Sequence, residues 1–316
     1  MLFWRLNYLK TVDFIPIFDE MINIYKGKNM YTEDDLIKFT KPLSETEDQK
    51  AQRSIDLVTS AINDYNWKEY GLVKPSVHLK GSYKNNTNVR EDSDVDIYVL
   101  FDTASFLVNK DSQTTSIFHK GDSGISAKFY KDCLENALKQ KIGSGSITRG
   151  NKSIKIKETA YKHQTDVVCA FVANDDSKIS IYKGICLMPD KDAGGVIVNY
   201  PEQDTFEGTQ LNVVTDNYYK KIVRILKGIR NDQGWTTPSF LIECLVSNVE
   251  PNILCDNTKD YKGKVTSVID FLLLHLRLPF QFKEVNGIKA LFHERQKWGA
   301  NPDIAITFLK NVKAIL

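Results

Sequence analysis

The chain has 316 residues, a formal net charge of +2, and 42% hydrophobic and 26% charged residues. That is enough for one large or two ordinary domains with a full core, without the global basic excess that marks a nucleic-acid binder. The apolar run at 268–278 is too short to span a membrane and is broken by Asp270, His275 and Arg277. The five cysteines are widely spaced, with no Cys-x-x-Cys pair or Cys/His cluster. This excludes a disulfide frame and a structural zinc site and points to reduced thiols in a cytoplasm.

Residues 1–9 are apolar but lack a basic leader and a small-residue cleavage site, so no signal peptide is expected. Phe14, Ile17, Phe18, Met21, Ile22 and Tyr25 recur at helical steps and predict a helix that packs on the body. Thr32 opens a short helix, and Lys41-Pro42-Leu43 is a connector. Ser44 and Glu47 have capping-box spacing, and Ala51, Ile55, Val58, Ile62 and Tyr65 follow on one face of a long helix. That helix delivers the chain to a strand before Gly81.

The informative stretch is 78–101. A short apolar approach ends in Gly81-Ser82, a polar loop follows, and then Val95, Ile97, Val99 and Phe101 alternate along a strand. Asp94 and Asp96 open that strand and share a face, with Cα atoms roughly 6.5 Å apart. Two such carboxylates repel unless a cation sits between them, and their hard oxygens suit Mg²⁺ held together with substrate phosphates. Gly81 allows close backbone approach to a ligand; Ser82 and the amides behind it can hold phosphate oxygens.

After Phe101 the segment 102–113 reads as a polar link. Phe129, Cys133, Leu134, Ala137 and Leu138 mark a helix ending before Gly143. Strands are predicted over 147–157, with a turn at Gly150-Asn151, and over 165–172, where Asp166 opens its strand as Asp94 opens its own. Short strands fill 179–201, with Gly194-Gly195 as a hairpin signal. Residues 208–216 are expected as a loop, and Asp216 as the cap of a helix running to Asn231. Ile222, Ile225, Leu226 and Ile229 take one side of that helix. Lys220, Arg224 and Lys227 cluster within about 60° on the other. Such a face is ordinarily solvated; beside three carboxylates it would supply the cations a triphosphate needs. Pro238 starts the next helix, and 265–278, 288–297 and 302–316 complete the chain as helices, with Leu276 and Ile304 among their core positions. The layout is α+β, a mixed sheet with helices on one side.

Gly81-Ser82, residues 83–93, Asp94-Val95-Asp96 and a lone Asp166 on a later strand resemble the signature of polymerase-β-type nucleotidyltransferases. The fuller string through Thr87-Asn88-Val89-Arg90 resembles the bacterial CD-NTases, relatives of animal cyclic GMP–AMP synthase and oligoadenylate synthase. The resemblance implies a bilobal fold: an N-terminal helical segment at 1–43, a catalytic lobe with a long spine helix at 44–205, and a helical lobe at 206–316. It implies that Asp94, Asp96 and Asp166 bind two Mg²⁺ (or Mn²⁺) ions and that Gly81, Ser82 and Lys227 hold the triphosphate. It also implies that Ser239 touches phosphate and Phe240 stacks on a base. For Phe240 the alternative is a core aromatic.

The implied activity joins ribonucleoside triphosphates into a cyclic di- or trinucleotide messenger of antiphage signalling that opens a downstream effector. Alternatives are a linear oligonucleotide synthase, an AMP-transferring toxin or antitoxin, or a module that only binds nucleotide. The chain lacks the zinc-bearing insertion of the animal DNA sensor, so activation by DNA is not expected; a cytoplasmic monomer is. Ala314-Ile315-Leu316 is not the small-residue end on which some systems of this family are conjugated.

Overall fold

The computed structural model describes residues 31–89, 94–108, 114–119, 125–175, 183–191, 196–294 and 298–316. The predicted helix at 14–25, residues 90–93 and the Gly194-Gly195 signal lie outside them. Thr32 caps α1 (Glu33–Thr40) and Ser44 caps α2 (Glu45–Asp64) through reciprocal bonds with the residue three positions on. Ser44 N–H donates to Glu47 Oε2 at 2.8 Å and Glu47 N–H returns to Ser44 Oγ at 3.4 Å, the expected capping box.

β1 (Ser76–Lys80) runs directly into the short α3 (Gly81–Asn85). Then come β2 (Val95–Val108), β3 (Thr114–His119), α4 (Ala127–Ile142), β4 (Ile147–Arg149) and β5 (Ile154–Ile156). β6 (Thr165–Asp175), β7 (Gly184–Leu187) and β8 (Ile197–Asn199) finish an eight-stranded mixed sheet. Its central path is β1-β2-β6-β5-β4, with β2 and β6 parallel. The remaining elements are α5 (Pro201–Val214), α6 (Tyr218–Asp232), α7 (Ser239–Ser247), α8 (Pro251–Leu254), α9 (Tyr261–His275) and α10 (Asp303–Ile315).

Two cores divide the molecule. In the sheet lobe, Val95, Ile97, Val99, Phe101, Val167, Cys169 and Phe171 pack against Ala51, Val58, Ala61 and Ile62 of α2 and Tyr130, Leu134 and Leu138 of α4. Strand alternation sends Tyr98, Val168 and Ala170 to the opposite face, where they meet Ile185 and Leu187. The helical lobe is built on Ile222, Ile225, Leu226, Leu241, Leu245, Val268, Leu272, Phe308 and Val312. Tyr31 and Leu36 join that second core, so α1 belongs to the helical lobe and α2 to the sheet lobe. The chain crosses between lobes at 41–44.

Several boundaries differ from expectation. The segment 102–113 is not a link throughout: β2 continues to Val108, because Ala104 and Phe106 bury on the same face as Phe101. Residues 208–214 are helical, since Pro201 starts α5 and nothing after Gly208 breaks it. Asp216 does not cap α6; it has φ 49° and Asn217 has φ 64°, and the Thr215 hydroxyl accepts from Tyr219 N–H at 3.2 Å. Among the described residues of 288–297 there is no helix. Asn286 Oδ1 accepts from the Ile288 and Lys289 amides, Gly287 takes φ 68°, and Lys283 pairs with Ala290 across the turn. Ile304 lies on the exposed side of α10, with Ala305, Phe308 and Leu309 buried in its place, whereas Leu276 is buried.

α1 docks on α6 at Gly228. A Cβ there would stand 2.4 Å from Phe39 Cδ1. Gly228→Ala gains helix propensity but overpacks this seam. It is expected to lower stability in urea titration by about 1–3 kcal/mol.

Candidate active site

The β2–β6 pairing sets the site. Asp96 lies in register with Asp166 on β6 and with Lys80 on β1, while Asp166 is in register with Lys155 on β5. Partners in register point to the same face, and neighbouring strands lie about 4.8 Å apart. One row across four strands therefore reads Lys80, Asp96, Asp166, Lys155. The two carboxylates are adjacent and a cation flanks each, Lys155 Nζ standing 3.9 Å from Asp166 Oδ1. Asp94 sits just before β2, exposed, and its Oδ2 accepts from Gln164 Nε2 at 2.9 Å.

The electrostatics follow from this crowding. Burial pushes the Asp96 carboxyl above its ordinary value. Lys80 pulls the other way, and the charges of Asp166, Asp94 and Glu243 add to the rise. Asp166 Oδ1 is buried and accepts no hydrogen bond. Among the described residues no three His, Cys, Asp or Glu side chains already stand together as a closed metal cage. The donor set nevertheless fits a hard divalent cation: adjacent carboxylates, an acceptor without a donor, and charge repulsion that a cation would relieve.

Gly81 closes the site from the other side. It has φ +68°, and a Cβ on it would lie 2.4 Å from Asp96 Oδ2, so only glycine lets the turn pass this carboxylate. Ser82 follows in the first turn of α3, half-buried, and its carbonyl accepts from Thr87 N–H at 3.0 Å.

Of the predicted basic face of α6, Lys220 is half-buried and Arg224 and Lys227 are buried. Arg224 Nη1 donates to Asn86 O at 2.8 Å and its Nε to Thr40 O at 2.7 Å. Lys227 is 2% exposed; its Nζ donates to Thr87 O at 3.0 Å and to Glu243 Oε1. The face read as a triphosphate grip thus meets the backbone just after α3. Burial holds the Lys227 ammonium below its ordinary pKa, and Glu243 pulls the other way. Ser239 begins α7, its hydroxyl accepting from Arg230 Nη1 at 2.9 Å, one turn before Glu243 on the same helix face. Phe240 is half-buried and packs against the helical-lobe core, the aromatic's alternative role.

Three residues of this neighbourhood escaped the sequence reading. Lys80 was signalled only by its place before Gly81, and Lys155 only by strand register. Glu243 lay inside an apolar helical run, where a buried glutamate calls for a partner.

The chain is similar over most of its length to known proteins. A family model described as the cGAS/DncV-like nucleotidyltransferase C-terminal helical domain matches residues 207–316. A cyclic dipyrimidine nucleotide synthase, CdnE, of Legionella pneumophila is 36% identical over 276 residues, 83% of this chain and 90% of its own. The cyclic GMP-AMP synthase CdnE03 of Staphylococcus schleiferi is 31% identical, over 85% of this chain and 92% of its own. Among solved structures, the Rhodothermus marinus CdnE c-UMP-AMP synthase with Apcpp and Upnpp superposes with a TM-score of 0.71 at 27% identity. It covers 90% of this chain and 95% of its own.

Two substitutions separate what the site costs from what it does. Gly81→Ala is expected to abolish turnover, read as product formed, because the new methyl displaces Asp96. Asp96→Asn is expected to raise the melting temperature of metal-free protein while eliminating turnover, since it removes a buried charge beside two others.

Proposed function

The chain belongs to the bacterial CD-NTase family, and from that premise we propose that it joins ribonucleoside triphosphates into a cyclic di- or trinucleotide with release of pyrophosphate. The observation that carries this reading is the in-register adjacency of Asp96 and Asp166 beneath Gly81. Asp94, Asp96 and Asp166 would hold two divalent ions, Mg²⁺ or Mn²⁺. When bound, such ions lower the pKa of an acceptor hydroxyl and neutralise charge on departing pyrophosphate.

The protein's own groups do the rest by positioning and charge. Asp166, whose Oδ1 accepts no hydrogen bond, would take the proton of the attacking ribose hydroxyl. The O–P bond forms as the bond to pyrophosphate breaks. Gly81 and Ser82 receive the donor phosphates at the turn. Lys227 would serve this nucleotide site from behind, through its hold on Thr87. Ser239, from the helical lobe, would touch phosphate, and Phe240 beside it would meet a base. The product acts as a second messenger in antiphage signalling, recognised by a downstream effector. No helix among the described residues is long and apolar enough to cross a membrane.

Purified protein is incubated with all four labelled ribonucleoside triphosphates and Mg²⁺, then with phosphatase. A labelled product that resists phosphatase is expected; a wholly digestible one would mean linear transfer. Asp94→Asn with Asp96→Asn should reduce incorporation to background with the fold intact by circular dichroism. Excess chelator should stop the wild type, and turnover in its presence would refute the metal sites.

A further inference from the structure

Glu243 is a buried acid in a helix that is otherwise apolar over 240–242 and 244–246, and nothing in the chemistry above uses it. It is 4% exposed, and its neighbours Lys227 and Thr87 are 2% and 1% exposed. Glu243 Oε1 accepts from Thr87 Oγ1 at 2.8 Å and from Lys227 Nζ. Lys227 Nζ also donates to Thr87 O at 3.0 Å. Both polar groups of Thr87 that face the helical lobe are thus engaged, one by a carboxylate and one by an ammonium. The remaining one, Thr87 N–H, donates to Ser82 O at 3.0 Å.

A continuous path therefore runs from α7 through Glu243 and Thr87 to the Gly81-Ser82 turn, where a Cβ would already touch Asp96. Arg224 adds a parallel hold one residue earlier, on Asn86 O at 2.8 Å. A buried ion pair at a lobe interface is poor value for stability alone, since apolar residues of similar volume would do as well. Its specific effect here is to fix one loop in one place.

We propose that Glu243 is a positioning residue of the nucleotidyl transfer: acting through Thr87, it holds the Gly81-Ser82 turn at the height the carboxylates require. This rests on the function proposed above. Misplacing the turn by an ångström costs its phosphate contacts little in the ground state, where the triphosphate can follow the turn, and much in the transition state, where the carboxylates fix the reacting phosphorus, so the cost falls on kcat.

Thr87→Val is close to isosteric and removes only the hydroxyl, whereas Thr87→Ser keeps it. Thr87→Val and Glu243→Ala should each lower kcat about 10²-fold, with KM for nucleotides within about twofold of wild type. The double variant should be no worse than the worse single, because the Thr87–Glu243 bond is lost in each. Thr87→Ser should restore wild-type kcat. Wild-type kcat in Thr87→Val, or a raised KM with kcat unchanged, would overturn the proposal; the second outcome would assign Lys227 to direct contact with the triphosphate. Should Glu243→Ala fail to fold, the Val and Ser variants at Thr87 still decide.

Amide hydrogen exchange supplies a readout independent of turnover. Thr87→Val should accelerate exchange of the Thr87 amide and leave the Leu134 amide in α4 unchanged. Unchanged exchange at Thr87 would overturn the clamp even if the wild type makes no nucleotide product, an outcome that would by itself refute only the function.

Discussion

Two carboxylates on neighbouring parallel strands are the constraint to which the rest of the molecule answers. Backbone pairing of β2 with β6 fixes Asp96 beside Asp166 whatever their charges prefer. The pairing survives because the opposite face of the same strands is fully apolar. Val95, Ile97, Val99 and Val167 are each 0% exposed against α2 and α4. Each buried aliphatic side chain contributes about 1.5–3 kcal/mol, so a few of them outweigh the repulsion across the front. Lys80 and Lys155 at the ends of the row reduce that repulsion further when no metal is present. The site is thus a strained front on a stable back, the usual bargain where function demands like charges close together.

Close approach explains the local chain path. To bring phosphate oxygens near two carboxylates, the turn after β1 must pass Asp96 at a distance no side chain tolerates. Gly81, with positive φ and no Cβ, is the residue that permits it. α3 is short because its work is done within a turn: it redirects the chain so that Asn86 and Thr87 present their carbonyls to the helical lobe.

The sequence was most legible where a short-range rule sufficed. Period-two alternation put Asp96 on the face opposite Val95, Ile97 and Val99, the Ser44–Glu47 spacing marked a helix start, and Gly81-Ser82 marked the turn. It was least legible where a long-range partner decides the outcome. The helical wheel of α6 separated Arg224 and Lys227 from the apolar stripe correctly, but a wheel does not say what covers its second face. That depended on Glu243 and on the carbonyls of Thr40, Asn86 and Thr87, far away in sequence. The same limit hid the extension of β2, which Ala104 and Phe106 earn only by burial in the sheet-lobe core. It hid the Asn286-Gly287 turn too, where side-chain bonds to the backbone override a helical spacing.

A helix buried on both faces has a mechanical consequence. The apolar side of α6 is locked into the helical-lobe core through Ile222, Ile225, Leu226 and Ile229. Its polar side is fastened to the sheet lobe by directional bonds on consecutive carbonyls. Apolar packing tolerates small slides, whereas hydrogen bonds to fixed carbonyls do not, so, beside a second bond from Lys289 Nζ to Val198 O at 3.0 Å, Asn86 and Thr87 anchor the relative placement of the lobes. Those residues lie between the Gly81-Ser82 turn and the Asp94–Asp96 strand. The orientation of the second lobe and the position of the Gly81-Ser82 turn are therefore coupled at this loop. This explains why charged side chains hold that loop where apolar ones would have sufficed for stability alone.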